Sequence, residues 1–229
     1  MSQTAPFDDR HRLLDDEPDR VYAFGARQFY GPTRAERGER CSTCSFAATC
    51  EFYADFRPDP DKQQLYYAAE HEDGYYRDRC VFADDIDIED TMSATFLYRG
   101  RTLLSYSLVA YAPYEGWHMT ITGTAGRLEA EEFHSGPRAR NGNQPIAIHH
   151  GPGGPELVEV SMSRGGHGGG DQRLREYLFS EEPLPDPLGH TAGSWAGAMS
   201  MLIGAAANRS IATGQPIAID DLLGEFSRG

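Results

Sequence analysis

The chain has 229 residues, of which 39% are hydrophobic and 24% charged, and its formal net charge is −14 at pH 7. That much apolar chain can bury a core, expected here as a single domain over residues 1–229, while the acidic balance disfavours a phosphate-binding surface, so nucleic acid is not an expected partner. Residues 1–12 lack the basic-then-apolar order of a leader and no run of about eighteen apolar residues occurs, so no membrane contact is expected and the cytoplasm is the default compartment.

Arg20 to Tyr30 alternates apolar with polar residues and predicts a strand. Residues 31–80 follow as a cysteine-rich excursion, charged and aromatic, with no steady period up to Tyr75. Four cysteines sit as Cys41-x2-Cys44-x5-Cys50, then Cys80 after a gap of 29 residues. A C-x2-C pair puts two thiolates on one tight turn, a geometry that tetrahedral zinc uses. The expectation is a structural zinc on Cys41, Cys44, Cys50 and Cys80, with all four positions filled and none left for catalysis. An iron–sulfur cluster, a redox pair at Cys41/Cys44 and four unrelated thiols are the competing readings. The acidic run Asp84 to Asp90, alternating with Ile86 and Ile88, suits a charge-guarded edge strand.

A meander is predicted next. Thr91 to Tyr98 and Thr102 to Tyr111 flank the hairpin signal Arg99-Gly100-Arg101, and His118 to Thr122 and Arg127 to Glu132 flank Gly123-Thr124-Ala125-Gly126. Pro145 to His150 and Glu156 to Met162 read as two further strands. The run Gly165-Gly166-His167-Gly168-Gly169-Gly170-Asp171 then joins strand to helix. Its five glycines let backbone approach a ligand at φ > 0. The free N–H groups of a helix start favour oxygen-rich groups, and imidazole is the side chain that exchanges protons near neutrality. A flexible linker with a solvated histidine is the plain alternative. Helices are expected over Asp171 to Phe179 and Ser194 to Asn208, the latter with Trp195, Ala198, Met199, Leu202, Ile203 and Ala206 at helical spacing. A short helical segment over Asp220 to Phe226 completes an α+β chain whose sheet reads as largely antiparallel.

Several of these pieces together resemble the C-terminal domain of the Gfo/Idh/MocA oxidoreductases. They are Tyr76 to Val81 (YRDRCV), the acidic run Asp84 to Asp90, Gly123 to Leu128 (GTAGRL), Gly165 to Asp171 (GGHGGGD) and Ala205 to Leu222 (AAANRSIATGQPIAIDDL). The resemblance covers nearly the whole chain and implies an open-faced β-sheet with helices packed on one face, a pocket for sugars, cyclitols or related polyols, and a homo-oligomer assembled through the exposed sheet face. In complete members a nucleotide-binding domain precedes this one. No strand here leads through G-x-G-x-x-G into a helix, and the family's Glu-Lys-Pro motif is absent. Where the family's helix begins His-Asp-Phe-Asp, this chain has Ala5-Pro6-Phe7-Asp8, and neither Ala5 nor Pro6 can carry a proton. No NAD(P) binding is therefore expected from this chain alone.

Three functional expectations follow. The first is a small-molecule binding or assembly module, beside a separate nucleotide-binding subunit. In the second, a cofactor-free enzyme of dehydratase, epimerase, cyclase or lyase type, His167 is general acid or base and Asp171 fixes its ring. Gly166, Gly168 and Gly169 then approach the ligand, and Tyr75, Tyr76 or His118 completes the site. The third is a fragment of a full-length NAD(P)-dependent oxidoreductase.

Overall fold

A computed structural model describes residues 14, 16–139, 144–160, 166–182, 184–186 and 191–226. Their strands in chain order are β1 (Pro18–Ala26), β2 (Thr91–Tyr98), β3 (Leu103–Val109), β4 (Gly116–Gly123), β5 (Gly126–Phe133), β6 (Gln144–His149), β7 (Glu156–Val160) and β8 (Ile217–Ala218). The α-helices are α1 (Pro60–Leu65), α2 (Glu70–Asp73), α3 (Gly170–Phe179), α4 (Ser194–Thr213) and α5 (Ile219–Phe226). The α+β class and the antiparallel pairing agree with the sequence reading, but the strands divide into two four-stranded sheets, β3-β2-β1-β8 and β4-β5-β6-β7. Each sheet belongs to its own compact unit, the first drawn from Met1–Tyr111 with Ala192–Gly229 and the second from Ala112–Thr191.

In the first unit, period-two alternation on β1 and β2 turns Val21, Ala23, Ala94, Phe96 and Tyr98 to one buried face. Helix α4 lays Met199, Leu202, Ile203, Ala206 and Ala207 on that face, and together these residues form the core. The buried Ser210 hydroxyl accepts the Ala23 N–H at 2.9 Å, which fixes helix against strand at one point. The helix outruns its expected end at Asn208 and stops at Gly214, whose left-handed φ of 65° returns its N–H to Ser210 O. Trp195, at the other end of the apolar stripe, is exposed and donates to Glu17 Oε1 at 2.8 Å. The two-residue strand β8 pairs with β1 at Arg20 and Val21 and was too short to show any period.

Two expectations about the ends of β1 and β2 need correcting. Strand β1 stops at Ala26, short of Tyr30, because the N–H groups of Gln28, Phe29 and Tyr30 all point at the Asp90 carboxylate, at 2.9, 2.7 and 2.8 Å. The run Asp84 to Asp90 forms no strand: it is turn and coil, and its last carboxylate is buried as the acceptor just described.

Within the excursion, α1 opens on Asp59, which accepts the Asp61 and Lys62 N–H groups, with Pro60 as its first residue. Helix α2 ends at Gly74 in the left-handed region. Phe29, Tyr30, Phe52 and Phe82 make edge-on and tilted contacts, and Phe29 stacks on Tyr111 at 5.0 Å. This aromatic cluster packs the loops where regular structure gives out.

The second unit is built differently. None of its described residues is buried, and β7 is exposed at every position. Its sheet is held by pairing in register, with eight residue pairs from Gly116↔Phe133 to Gly123↔Gly126 on β4 and β5.

Candidate functional site

The glycine corner lies in the second unit. Gly166–Gly169 form a short turn in which His167 (φ 50°, ψ 44°) and Gly168 (φ 63°, ψ 29°) are left-handed, and Gly169 (φ 88°) leads into α3. A Cβ at Gly168 would meet no atom within 4 Å, so its glycine is required by backbone angle and not by space. His167 is one of two non-glycine residues with positive φ among the described residues, a conformation that costs of order 1 kcal/mol for a residue with a Cβ. The turn brings the imidazole Nδ1 to 2.8 Å from Oδ1 of Asp171, four residues on in the first turn of α3. The His167 side chain is 86% exposed. A carboxylate beside Nδ1 favours the tautomer with its proton there, leaving the Nε2 lone pair for another partner. Gly165 lies outside the described residues, as do Ala5 to Asp8 of the altered helix-start motif.

The remaining candidates sit elsewhere. His118 is on β4 opposite Glu131, exposed. Tyr75 and Tyr76 belong to the first unit, and the Arg40 guanidinium stacks over the Tyr76 ring at 4.4 Å. Tyr76, with Arg37, Arg40 and Arg79, lines an open groove of about 920 Å³. Each of those arginines is paired, with Asp84, with Asp78 and Glu70, and with Asp85 respectively.

The four cysteines do come together. Cys41, Cys44, Cys50 and Cys80 line one cavity of about 120 Å³, walled by Phe52, Phe82 and several arginines. All four are free thiols. Burial pushes the Cys41 thiol up, against an N–H bond from Ala54 that pulls it down, and the nearby Cys80 and Cys50 sulfurs add to the rise. Arg34 Nη2 donates to Cys50 Sγ at 3.0 Å while its guanidinium lies 3.7 Å over the Phe82 ring. Beneath this cavity Asp78 is buried, accepting the Ser42 N–H at 2.9 Å and Arg40 Nε at 2.8 Å. Burial alone would raise the Asp78 carboxyl, but the Ser42 and Arg40 bonds outweigh it and hold the carboxyl below its usual range. The paired Arg40 is raised in turn, first by its bonds to Glu70. Sequence reasoning missed Arg34, Arg40 and Asp78. Only the position of Asp78, two residues before Cys80, hinted at a role for it.

Among the described residues, no group of three or more His, Cys, Asp or Glu side chains converges as the ligands of a single metal ion. The expected single-ion zinc centre is thus not supported. Nor is any helix of the described residues long and apolar enough to cross a membrane.

Comparison with known proteins places the chain. No protein-family profile matches it. "Putative oxidoreductase YteT" of Bacillus subtilis (strain 168) is 36% identical over 237 residues, an alignment spanning 96% of this chain and 55% of that protein. The chain therefore spans about half the length of this curated relative. Among solved structures, an oxidoreductase domain protein from Kribbella flavida matches with a TM-score of 0.53 at 14% identity, over 95% of this chain and 50% of that one. The aldose-aldose oxidoreductase of Caulobacter crescentus, complexed with glycerol, matches with a TM-score of 0.51 at 12% identity, over 94% and 45%. The transcriptional regulator Gal80p of Kluyveromyces lactis gives 0.51 at 12% identity, over 96% and 45%. Oxidoreductases and a regulator share this fold, so the structural likeness speaks for the fold alone. The sequence relationship to YteT, with the motifs from Tyr76 to Leu222, makes the chain similar to the C-terminal-domain part of the Gfo/Idh/MocA oxidoreductases.

Proposed function

We infer that the glycine corner is one wall of a site for a hydroxyl-rich small molecule, a sugar, polyol or cyclitol, with His167 as proton carrier and Asp171 as the residue that orients it. The single observation behind this reading is the 2.8 Å contact between His167 Nδ1 and Asp171 Oδ1 on a ring that is otherwise exposed. An exposed base can take a hydroxyl proton at Nε2 while the carboxylate steadies the imidazolium that results. The left-handed backbone at His167 holds the ring in that pose at a conformational cost. Hydride transfer needs a dinucleotide, and this chain has no strand, G-x-G-x-x-G and helix in order. In this reading the chain supplies the ligand side of the reaction and a separate nucleotide-binding part supplies the hydride acceptor.

The same pair favours a second reading, proton transfer without a cofactor, because dehydration or epimerisation needs only a positioned base. Assembly through the second unit's sheet is part of the proposal too. Its edge strand β7 exposes Leu157, Val158 and Val160, and β4 exposes Trp117, apolar area that a second copy would cover.

Titration of the intact chain with a panel of aldoses, polyols and cyclitols, with and without NAD(P)H, tests the site. His167→Ala is expected to weaken binding or turnover by at least about tenfold, or 1.4 kcal/mol. Asp171→Asn, which keeps the shape but cannot steady an imidazolium, should reduce turnover more than affinity. Turnover in the absence of any nucleotide, lost in His167→Ala, selects the cofactor-free reading. No saturable binding by any member of the panel, or His167→Ala behaving as the parent, sinks the assignment.

A further inference from the structure

We propose that the four-cysteine cavity of the first unit holds a [4Fe–4S] cluster, a reading independent of the ligand assigned to the glycine corner. Four thiols face one space, yet they do not converge on a point. A single tetrahedral zinc with Zn–S bonds near 2.3 Å demands sulfurs about 3.8 Å apart, and no such group of three or more ligands exists among the described residues. The cavity measures about 120 Å³, far more than one ion fills, and all four cysteines line it. A cubane cluster is bonded at four separate corners, one cysteine to each iron, so its ligands ring a volume.

The surroundings suit such a guest. Four thiolates on a cluster carry net negative charge, and four arginines, Arg37, Arg40, Arg77 and Arg79, line the same cavity against two acids, Glu36 and Asp78, in a chain whose overall charge is −14. One sulfur already accepts a hydrogen bond, Cys50 from Arg34 Nη2 at 3.0 Å. Such N–H···S contacts set the potential of protein-bound clusters. Phe52 and Phe82 keep one side apolar. The backbone is organised to present the ligands: Cys41 N–H bonds Asp78 O, Cys80 N–H bonds Glu39 O, and Cys44 N–H returns to Cys41 O. Gly38 lies against Cys44, where a Cβ would come within 3.2 Å of the sulfur. Cluster binding would tie the Cys41–Cys50 loop to Cys80, two limbs already linked by hydrogen bonds and one isolated bridge, Arg40↔Arg79.

Loading is a ligand exchange with no change in iron oxidation state. When a soluble [4Fe–4S] cluster bearing four small thiolates is supplied under argon, each cysteine thiol forms an iron–sulfur bond. Its proton leaves on the displaced small thiolate. The test is to purify the chain anaerobically and to load it in this way, then to measure iron, acid-labile sulfide, zinc and the visible spectrum. The expected result is four irons and four sulfides per chain with a broad charge-transfer band. Stoichiometric zinc without sulfide, or no bound metal after loading, overturns the proposal. Cys44→Ser and Cys80→Ser are each expected to lose at least half of the bound iron, and full iron content in both would also overturn it. Arg34→Gln, which leaves every ligand in place, should keep the iron count and move the cluster's potential to a more negative value. Its electrochemistry therefore reads the site even where a cysteine variant fails to fold.

Discussion

Replacing Asp90 by alanine is the most direct test of how the first unit is held. Its Oδ2 accepts the Phe29 and Tyr30 N–H groups at 2.7 and 2.8 Å, and its Oδ1 accepts Gln28 N–H at 2.9 Å and the Thr91 hydroxyl at 3.2 Å. With the residue only 2% exposed, water cannot take over these donors. Hydrogen bonds to a charged acceptor are worth about 1.5–3 kcal/mol each, but they share one carboxylate whose burial is itself costly. The net loss for Asp90→Ala is therefore about 3–5 kcal/mol. Asp90→Asn keeps the shape, and with its oxygen towards Phe29 and Tyr30 only the Gln28 N–H meets a donor, for a loss of about 1–3 kcal/mol. Urea unfolding at pH 7, followed by circular dichroism and tryptophan fluorescence, measures both. An alanine variant within about 1 kcal/mol of the parent, or an asparagine variant equally damaged, refutes this account of why β1 ends at Ala26.

Acid should act through the same group and through Asp78. For both, burial would raise the carboxyl, and hydrogen bonds more than reverse it, so the folded-state values lie below the unfolded ones. Their contribution is complete above the unfolded carboxyl range near pH 4 and is lost as pH falls through the lower folded values. A urea midpoint that stays constant from pH 7 to about 5 and then drops is the expected curve; one that rises on acidification contradicts the pairing. Leu157→Asp, on a β7 side chain that is 61% exposed, should leave the secondary structure intact while lowering the mass seen by light scattering. A parent chain that is already a monomer at working concentration would end the assembly proposal.

Local pattern carried most of the elements because helix and strand periods are written in neighbouring residues. Thr91 to Tyr98 alternates as β2 alternates, and the stripe from Met199 to Ala206 is the face that α4 buries. The contact of His167 with Asp171 is equally local in sequence, but its geometry comes from the left-handed turn at His167 and Gly168 that precedes α3. The motifs that resemble the family were likewise visible before any coordinates. What the sequence alone could not decide was everything resting on distant partners. Asp90 reads as one more surface acid until Gln28, Phe29 and Tyr30 fold onto it from 60 to 62 residues away. The cysteine spacing fits zinc and a cluster alike, and that Cys41, Cys44, Cys50 and Cys80 line one cavity is decided only by the fold. The division of eight strands into two sheets also belongs to the tertiary structure, because alternation tells which residues share a face but not which strand lies beside which.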